Sequence, residues 1–196
     1  HVWRVGTNAC DFQAHGVSVS ERGADGRWSA LEPTGPRGAI AWRVKEHQGE
    51  ALMVLYRGGE NLYSFNGEPM TIELWRSPDG KSWRPFSDQG AVVLSGGGSE
   101  TDFAVDATGE LFGVVRNEAG DAQGAGSKLC RGSGATLGGW VCKTDHRKYD
   151  SPLVFEHDGE IYVVGRRNLS GDGRYDVSSD HGPVGIAHNE LAYITT

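Results

Sequence analysis

Three times along this chain a Gly-Glu pair opens a hydrophobic run that closes on an arginine. Gly49-Glu50 leads into Ala-Leu-Met-Val-Leu-Tyr-Arg57, Gly109-Glu110 into Leu-Phe-Gly-Val-Val-Arg116, and Gly159-Glu160 into Ile-Tyr-Val-Val-Gly-Arg166. A second apolar stretch precedes each run across a short turn, so each unit reads as a β-hairpin. The middle copy is the most complete. Thr101 to Asp106 is its first strand, Ala107-Thr108-Gly109 its turn and Glu110 to Arg116 its second strand.

A strand-built unit that recurs about every 50–60 residues suits the blades of a β-propeller. The remaining segments fill in around the hairpins. Gly16 to Arg22 alternates apolar and polar residues, Gly23-Ala-Asp-Gly26 is a turn, and Arg27 to Leu31 is the expected return strand. Pro33 to Gly38 is a connector. Ala39 to Lys45 pairs with Leu52 to Arg57, followed by Met70 to Arg76. Gly126 to Arg131 and Trp140 to Thr144 complete the second unit. Val184 to Ala187 and Leu191 to Ile194 form the outer pair of the third. The expected fold is all-β: a single domain over 1–196, built as a propeller of four-stranded antiparallel blades. Fewer than four blades are present. The first residues either close a small propeller against the last strands, or the chain is part of a five- or six-bladed one; the second reading is favoured.

Composition narrows the partners. Nineteen basic residues against 26 acidic leave a net charge of −7. That argues against nucleic acid, which demands a basic face. No apolar run approaches the roughly 18 residues of a membrane-spanning helix, so no membrane partner is expected. Thirty glycines suit many tight turns, and no window shows a helical period. There is no His-Glu-x-x-His, Cys-x-x-Cys or Gly-x-Ser-x-Gly motif, and the seven histidines are scattered. Asp172-Gly-Arg-Tyr-Asp176 has too few ligands for a calcium loop and reads as plain loop. No metal or cofactor is expected, and the oligomeric state is left open.

Cys130 and Cys142 flank a Gly-rich turn. If their segments pair as neighbouring strands, the sulfurs either meet in a disulfide or remain two half-buried thiols. No signal peptide is recognisable and the chain opens on His1. An extracellular or periplasmic location is therefore expected only if that disulfide forms. Cys10 reads as a packing residue.

Ser77-Pro-Asp-Gly-Lys-Ser-Trp83 is the most specific short motif. It resembles the Asp box of sialidase-like propellers, with Asp79 and Gly80 adjacent and Ser82 standing for threonine. Asp25-Gly-Arg-Trp28 is a shorter copy. In such a turn the carboxylate accepts backbone N–H groups, glycine takes the left-handed conformation and tryptophan packs beneath. The segments Gly-Ser-Glu-Thr-Asp-Phe103 and Lys-Tyr-Asp-Ser-Pro152 also resemble uncharacterised bacterial propellers, which imply no activity.

In a propeller the start of each first strand and the end of each second share one rim. That places Trp42, Arg43, Glu100, Asp102 and Asp150 together with Arg57, Arg116 and Arg166. Convergent arginines suit a sugar carboxylate, and glycoside hydrolysis requires a general acid and a base or nucleophile. The candidates are Asp102, Glu100 and Asp150 for catalysis. For substrate binding they are Arg43, Arg57, Arg116, Arg166, Trp42, Tyr63 and Tyr149. The resemblance adds a tyrosine nucleophile, with Tyr56, Tyr63 or Tyr149 in that role. The expected function is a glycoside hydrolase of sialidase-like type acting on an acidic or arabinose-like sugar. Its ligand is a carbohydrate or other small acidic molecule. The alternatives are a non-catalytic propeller that binds a glycan or protein through the same rim, and a structural remnant of a larger enzyme. On a purely structural reading the same charges serve instead as ion pairs between blades.

Overall fold

A computed structural model describes residues 2–5, 10–58, 70–118, 122, 125–133, 138–168, 176–177, 185–186 and 189–195, with side chains over 14–58, 70–118, 122, 125–132 and 138–167. Among the described residues there are strands and no helix. They are β1 (Val2–Val5), β2 (Cys10–Gln13), β3 (Val17–Val19), β4 (Glu32–Thr34), β5 (Ile40–His47), β6 (Glu50–Arg57), β7 (Thr71–Ser77), β8 (Arg84–Pro85) and β9 (Val92–Ser95). The second half adds β10 (Gly98–Val105), β11 (Glu110–Asn117), β12 (Ser127–Ser133), β13 (Val141–Asp145), β14 (Lys148–His157), β15 (Glu160–Asn168), β16 (Asp176–Val177), β17 (Gly185–Ile186) and β18 (Asn189–Thr195).

All three Gly-Glu hairpins form. Gln48 and Gly49 both have positive φ, as do Asp158 and Gly159. Two successive left-handed residues make the turn whose twist matches that of paired strands. The acid three residues back secures each: Gly49 N–H donates to Glu46 Oε1 and Gly159 N–H to Glu156 Oε1. The middle turn is longer. Asp106 Oδ1 accepts the N–H groups of Thr108 and Glu110 while Gly109 takes the left-handed conformation.

Three antiparallel sheets dominate. The first runs β5-β6-β7, with β8 and β9 both pairing β7; the second runs β10-β11-β12-β13. The third runs β14-β15-β18. Pairs β1-β2, β3-β4 and β16-β17 form separate two-stranded sheets. Alternation gives the second sheet two apolar faces. Phe103, Leu111, Val115 and Cys130 pack with Leu52, Val54, Ile72 and Leu74 of the first sheet. Ala104 and Val114 pack with Tyr149, Val154, Ile161 and Val163 of the third. The second sheet is thus the middle layer of a stack, and Ala39, Met53 and Leu55 on the far face of the first sheet pack with Val17.

The first strand of each sheet carries a register shift at the corresponding end. The shifts lie between Ala41 and Arg43 in β5, Gly98 and Thr101 in β10, and Asp150 and Leu153 in β14. Such bulges re-aim the side chains beside them.

The Asp79 turn forms as its chemistry demands. The carboxylate accepts the N–H groups of Ser82 and Lys81 and the hydroxyls of Ser82 and Ser77. The Ser82 amide above all, and then the Lys81 amide, holds its pKa well below the usual carboxylate range. Gly80 has φ 73° and Trp83 Nε1–H donates to the Gly80 carbonyl. At the shorter copy Arg27 N–H donates to Asp25, but Trp28 is 67% exposed and packs beneath nothing.

Two segments depart from expectation. β3 pairs with Glu32–Thr34, while 27–31 contributes the isolated bridge between Arg22 and Trp28 and the Ser29 hydrogen bonds to Glu21 and Ser20 nearer the turn. The Gly23–Gly26 turn is held by its own hydrogen bonds, so the ladder resumes beyond it and takes in Pro33, which a short edge pairing tolerates. Near the end, 189–195 is the third strand of its sheet, while Gly185–Ile186 pairs Asp176–Val177. Cys130 and Cys142 face each other across β12 and β13 and form a disulfide. The loop before Asp176 and the Cys10 side chain lie outside the described residues.

Candidate functional site

At the mouth between the second and third sheets, three carboxylates meet one guanidinium. Arg116, near the end of β11, has Nη1 3.2 Å from Glu100 Oε1. Its Nε lies 2.7 Å from Glu118 Oε2 and 2.6 Å from Asp150 Oδ1. The period of two explains the grouping: Arg116 in β11 and Glu118 just past its end lie two residues apart, as do Lys148 and Asp150 in β14. Asp150 is fully buried and Lys148 is 2% exposed, whereas the Glu100 and Glu118 side chains keep 13% and 15% of their surface.

Burial sets the protonation balance. It pushes the Glu118 carboxyl up, against the pull of Arg116 and Lys148. It pushes the Lys148 ammonium down, against Glu118, Asp150 and Glu100. The site therefore carries three acids against two bases, with one acid biased toward its neutral form.

Ser151 completes the arrangement. It has φ 49° inside the β14 register shift, a conformation that a non-glycine residue seldom adopts. This turns its N–H onto Glu100 Oε2 at 2.6 Å, with its hydroxyl 3.3 Å from the same oxygen. Arg166 Nη2 donates to Ser151 Oγ at 3.2 Å. Opposite, Gly165 leaves room: a Cβ there would stand 3.2 Å from the Asp150 carbonyl oxygen.

Asp102 sits apart from this cluster. Its side chain is fully buried where β5, β10 and β14 meet. Phe103 N–H donates to Oδ1 at 2.8 Å and Val154 N–H to Oδ2 at 2.7 Å. Lys45 Nζ is 2.8 Å and Arg43 Nε 3.5 Å from the same carboxylate. Lys45 also donates to the carbonyls of Phe103 and Val154, and Arg43 to that of Pro152. Both Asp102 oxygens are thus directed at protein groups.

The structure brings together Glu100, Asp150, Arg116 and, through Ser151, Arg166. It joins Arg43 to Asp102 and separates Arg57, which pairs with Glu73 at 2.8 Å and donates to the Arg37 carbonyl. Trp75 Nε1–H holds the other Glu73 oxygen. Trp42 packs against the core, 6.4 Å from the Tyr56 ring, with the Arg43 guanidinium over it. Tyr56 and Tyr149 are each 1% exposed. Tyr149 lines an apolar cavity of about 450 Å³ between the second and third sheets, with Phe112, Val114, Val154 and Val163. Tyr63 lies outside the described residues. Sequence reasoning passed over Glu118, Lys148 and Lys45; each stands two residues from a chosen candidate, so the same alternation rule applied one step further reaches them.

No protein-family model matches this chain, and no curated protein matches it. Two solved structures resemble it in part. A protein assigned as an exo-beta-1,3-galactanase from Bifidobacterium bifidum s17 has a TM-score of 0.43 and 16% identity, over 66% of this chain and 48% of that one. An inulosucrase from Halalkalicoccus jeotgali bound to kestose has a TM-score of 0.46 and 12% identity, over 82% of this chain and 50% of that one. The chain thus spans about half the length of each.

Proposed function

We propose that this chain belongs to a β-propeller glycoside hydrolase acting on a neutral, arabinose-like sugar. The propeller reading is supported by three meandering sheets stacked in chain order, whose first strands β5, β10 and β14 meet around Asp102. Hydrolysis is supported by one observation above the rest: Glu100 and Glu118 sit on neighbouring nitrogens of one guanidinium, and burial pushes Glu118 toward its protonated form.

Glu118 suits the general acid, since a raised pKa keeps a proton ready for the leaving oxygen. Glu100, held by Arg116 and by the Ser151 amide, suits the base or nucleophile. Attachment to one guanidinium keeps the two carboxyl groups within the roughly 9.5 Å that glycoside hydrolysis allows. Asp150 anchors Arg116 from below.

Three of the four candidate arginines favour the neutral member of the expected pair of sugars, Arg166 being held, among the described residues, only by its hydrogen bond to Ser151. Arg57 is engaged by Glu73, Arg43 by Asp102, and Arg116 by three carboxylates. An acidic sugar requires guanidinium groups free to grip it. The disulfide supports an oxidising compartment. The second reading, a rim that binds a glycan without cleaving it, is favoured by the complete burial of Asp150 and the near-complete burial of Lys148.

A panel of chromogenic glycosides, including an α-L-arabinofuranoside and a sialoside, separates the readings. Hydrolysis of the neutral substrate, abolished in Glu118→Gln with ligand binding retained, supports the proposal. Binding without turnover supports the second reading, and cleavage of the sialoside alone restores the acidic one.

A further inference from the structure

The third sheet departs from the repeat at two positions that face each other. Counted from the Gly-Glu pair, Gly165 stands where Leu55 stands in the first hairpin and Val115 in the second, both of them buried. Opposite Gly165, inside the β14 register shift, Ser151 has φ 49°. The other described non-glycine residues with positive φ, Gln48 and Asp158, lie in hairpin turns that require that conformation. No turn requires it at Ser151. The corresponding shifts in β5 and β10 contain no left-handed residue.

Both departures act on one peptide group. The Asp150 carbonyl and the Ser151 N–H belong to the same planar trans unit, so they point in opposite directions. The carbonyl faces Gly165, where a Cβ would stand 3.2 Å from its oxygen. The N–H reaches Glu100 Oε2 at 2.6 Å. A side chain at 165 would crowd the carbonyl, tilt the unit and draw the N–H off Glu100.

The serine hydroxyl adds a second hold. Ser151 Oγ donates to the same Glu100 oxygen at 3.3 Å and accepts from Arg166 Nη2 at 3.2 Å. Glycine would take a positive φ without steric cost and keep the N–H. What serine supplies in exchange for its strain is this hydroxyl. Strain held beside candidate catalytic groups points from the geometry to a function.

We infer that Ser151, with Gly165 behind it, is a positioning residue for Glu100, and that Arg166 acts on Glu100 through the serine hydroxyl instead of binding substrate. On the hydrolase reading, from which this follows, Glu100 is the base or nucleophile. Arg116 Nη1 holds Oε1 at 3.2 Å, so the two Ser151 donors on Oε2 remove the remaining freedom, rotation of the carboxylate plane. A carboxylate offers about four lone-pair sites, and these donors leave one on Oε1 for the reacting atom.

Steady-state kinetics on the glycoside that wild type hydrolyses, with thermal melts of the same proteins, test this. Ser151→Gly is expected to lower kcat about tenfold with KM little changed, and to melt no lower than wild type. Gly165→Ala is expected to lower kcat about tenfold or more, because a misplacement near 1 Å costs on the order of a hundredfold. Arg166→Ala is expected to lower kcat in wild type and to change nothing further in Ser151→Gly, as residues acting through one contact are not additive. A Ser151→Gly enzyme with wild-type kcat overturns the inference. So does one that melts more than about 4 °C lower, which marks the serine as structural. Additive losses, with KM raised by Arg166→Ala, return Arg166 to substrate binding and overturn its role here. A wild type that cleaves nothing in the panel overturns the hydrolase reading and this inference with it; the earlier outcomes, which need an active wild type, overturn the inference alone.

Discussion

The Val154 amide donates to Asp102 Oδ2 at 2.7 Å, joining the first strands of two neighbouring sheets through a carboxylate with no exposed surface. Lys45 and Arg43 bring the third sheet's neighbour-but-one, the first sheet, to the same point. One side chain thus links all three layers where their first strands meet.

Removing it should be costly. Asp102→Ala leaves two cations and two buried amides without their partner, and breaking a buried ion pair costs about 3–5 kcal/mol. Urea unfolding is expected to show a loss of that size. A loss under about 1 kcal/mol would mean that water or a neighbouring carbonyl replaces the carboxylate, contrary to its burial.

Glu118 makes stability depend on pH. Burial raises its pKa in the folded state. Such a group contributes stability that is fully present below its unfolded pKa and lost as pH rises through its folded one. Stability is therefore expected to decline as pH climbs above the ordinary glutamate range. Glu118→Gln carries no titration there, so the decline should flatten and the variant should exceed wild type in stability near neutral pH. Urea midpoints across a pH series, wild type against variant, provide the check.

The Cys130–Cys142 disulfide ties the edge strand β13 to β12 across a separation of 12 residues. Closing a loop of that order stabilises by about 3 kcal/mol. In a chain of this size that corresponds to a melting temperature lower by roughly 6–12 °C once the bond is reduced. Thermal unfolding with and without reductant is expected to show the drop in wild type and none in Cys130→Ala/Cys142→Ala.

Gly126 admits no side chain. A Cβ there would lie 2.0 Å from the Asp145 carbonyl oxygen and 2.8 Å from the His146 carbonyl carbon, both backbone atoms. Neither can swing aside, so Gly126→Ala is expected to cost about 3 kcal/mol or more. Gly80→Ala is the informative contrast: nothing lies within 4 Å, so its penalty comes from the left-handed backbone alone, about 1 kcal/mol. Denaturant midpoints of the two variants measure the difference.

The hairpins were legible because everything that makes them is local. Gly49, Gly109 and Gly159 mark turns through their own backbone freedom, and the runs that follow alternate or fill with apolar residues as buried strands must. The Asp79 turn was legible for the same reason, since all four of its hydrogen bonds fall within a few residues. The expected turn at 23–26 forms, but next to it the strands meet only through the Arg22–Trp28 bridge and the Ser29 amide, and the regular β3 ladder begins further out, at Glu32–Thr34.

The sequence by itself determined an all-β chain of repeated hairpins and a pool of charged residues at strand ends, while the facing of Cys130 and Cys142 awaited the pairing of β12 with β13. Which charges meet was decided only by the tertiary structure. Arg57, Arg116 and Arg166 close three equivalent hydrophobic runs, yet the first binds Glu73 of its own sheet, the second gathers Glu100, Glu118 and Asp150, and the third reaches Ser151. The reason is physical. Alternation along a strand assigns a side chain to a face, but register shifts at Gly98/Thr101 and Asp150/Leu153 re-aim the ends, and partners across sheets depend on stacking that no local pattern encodes.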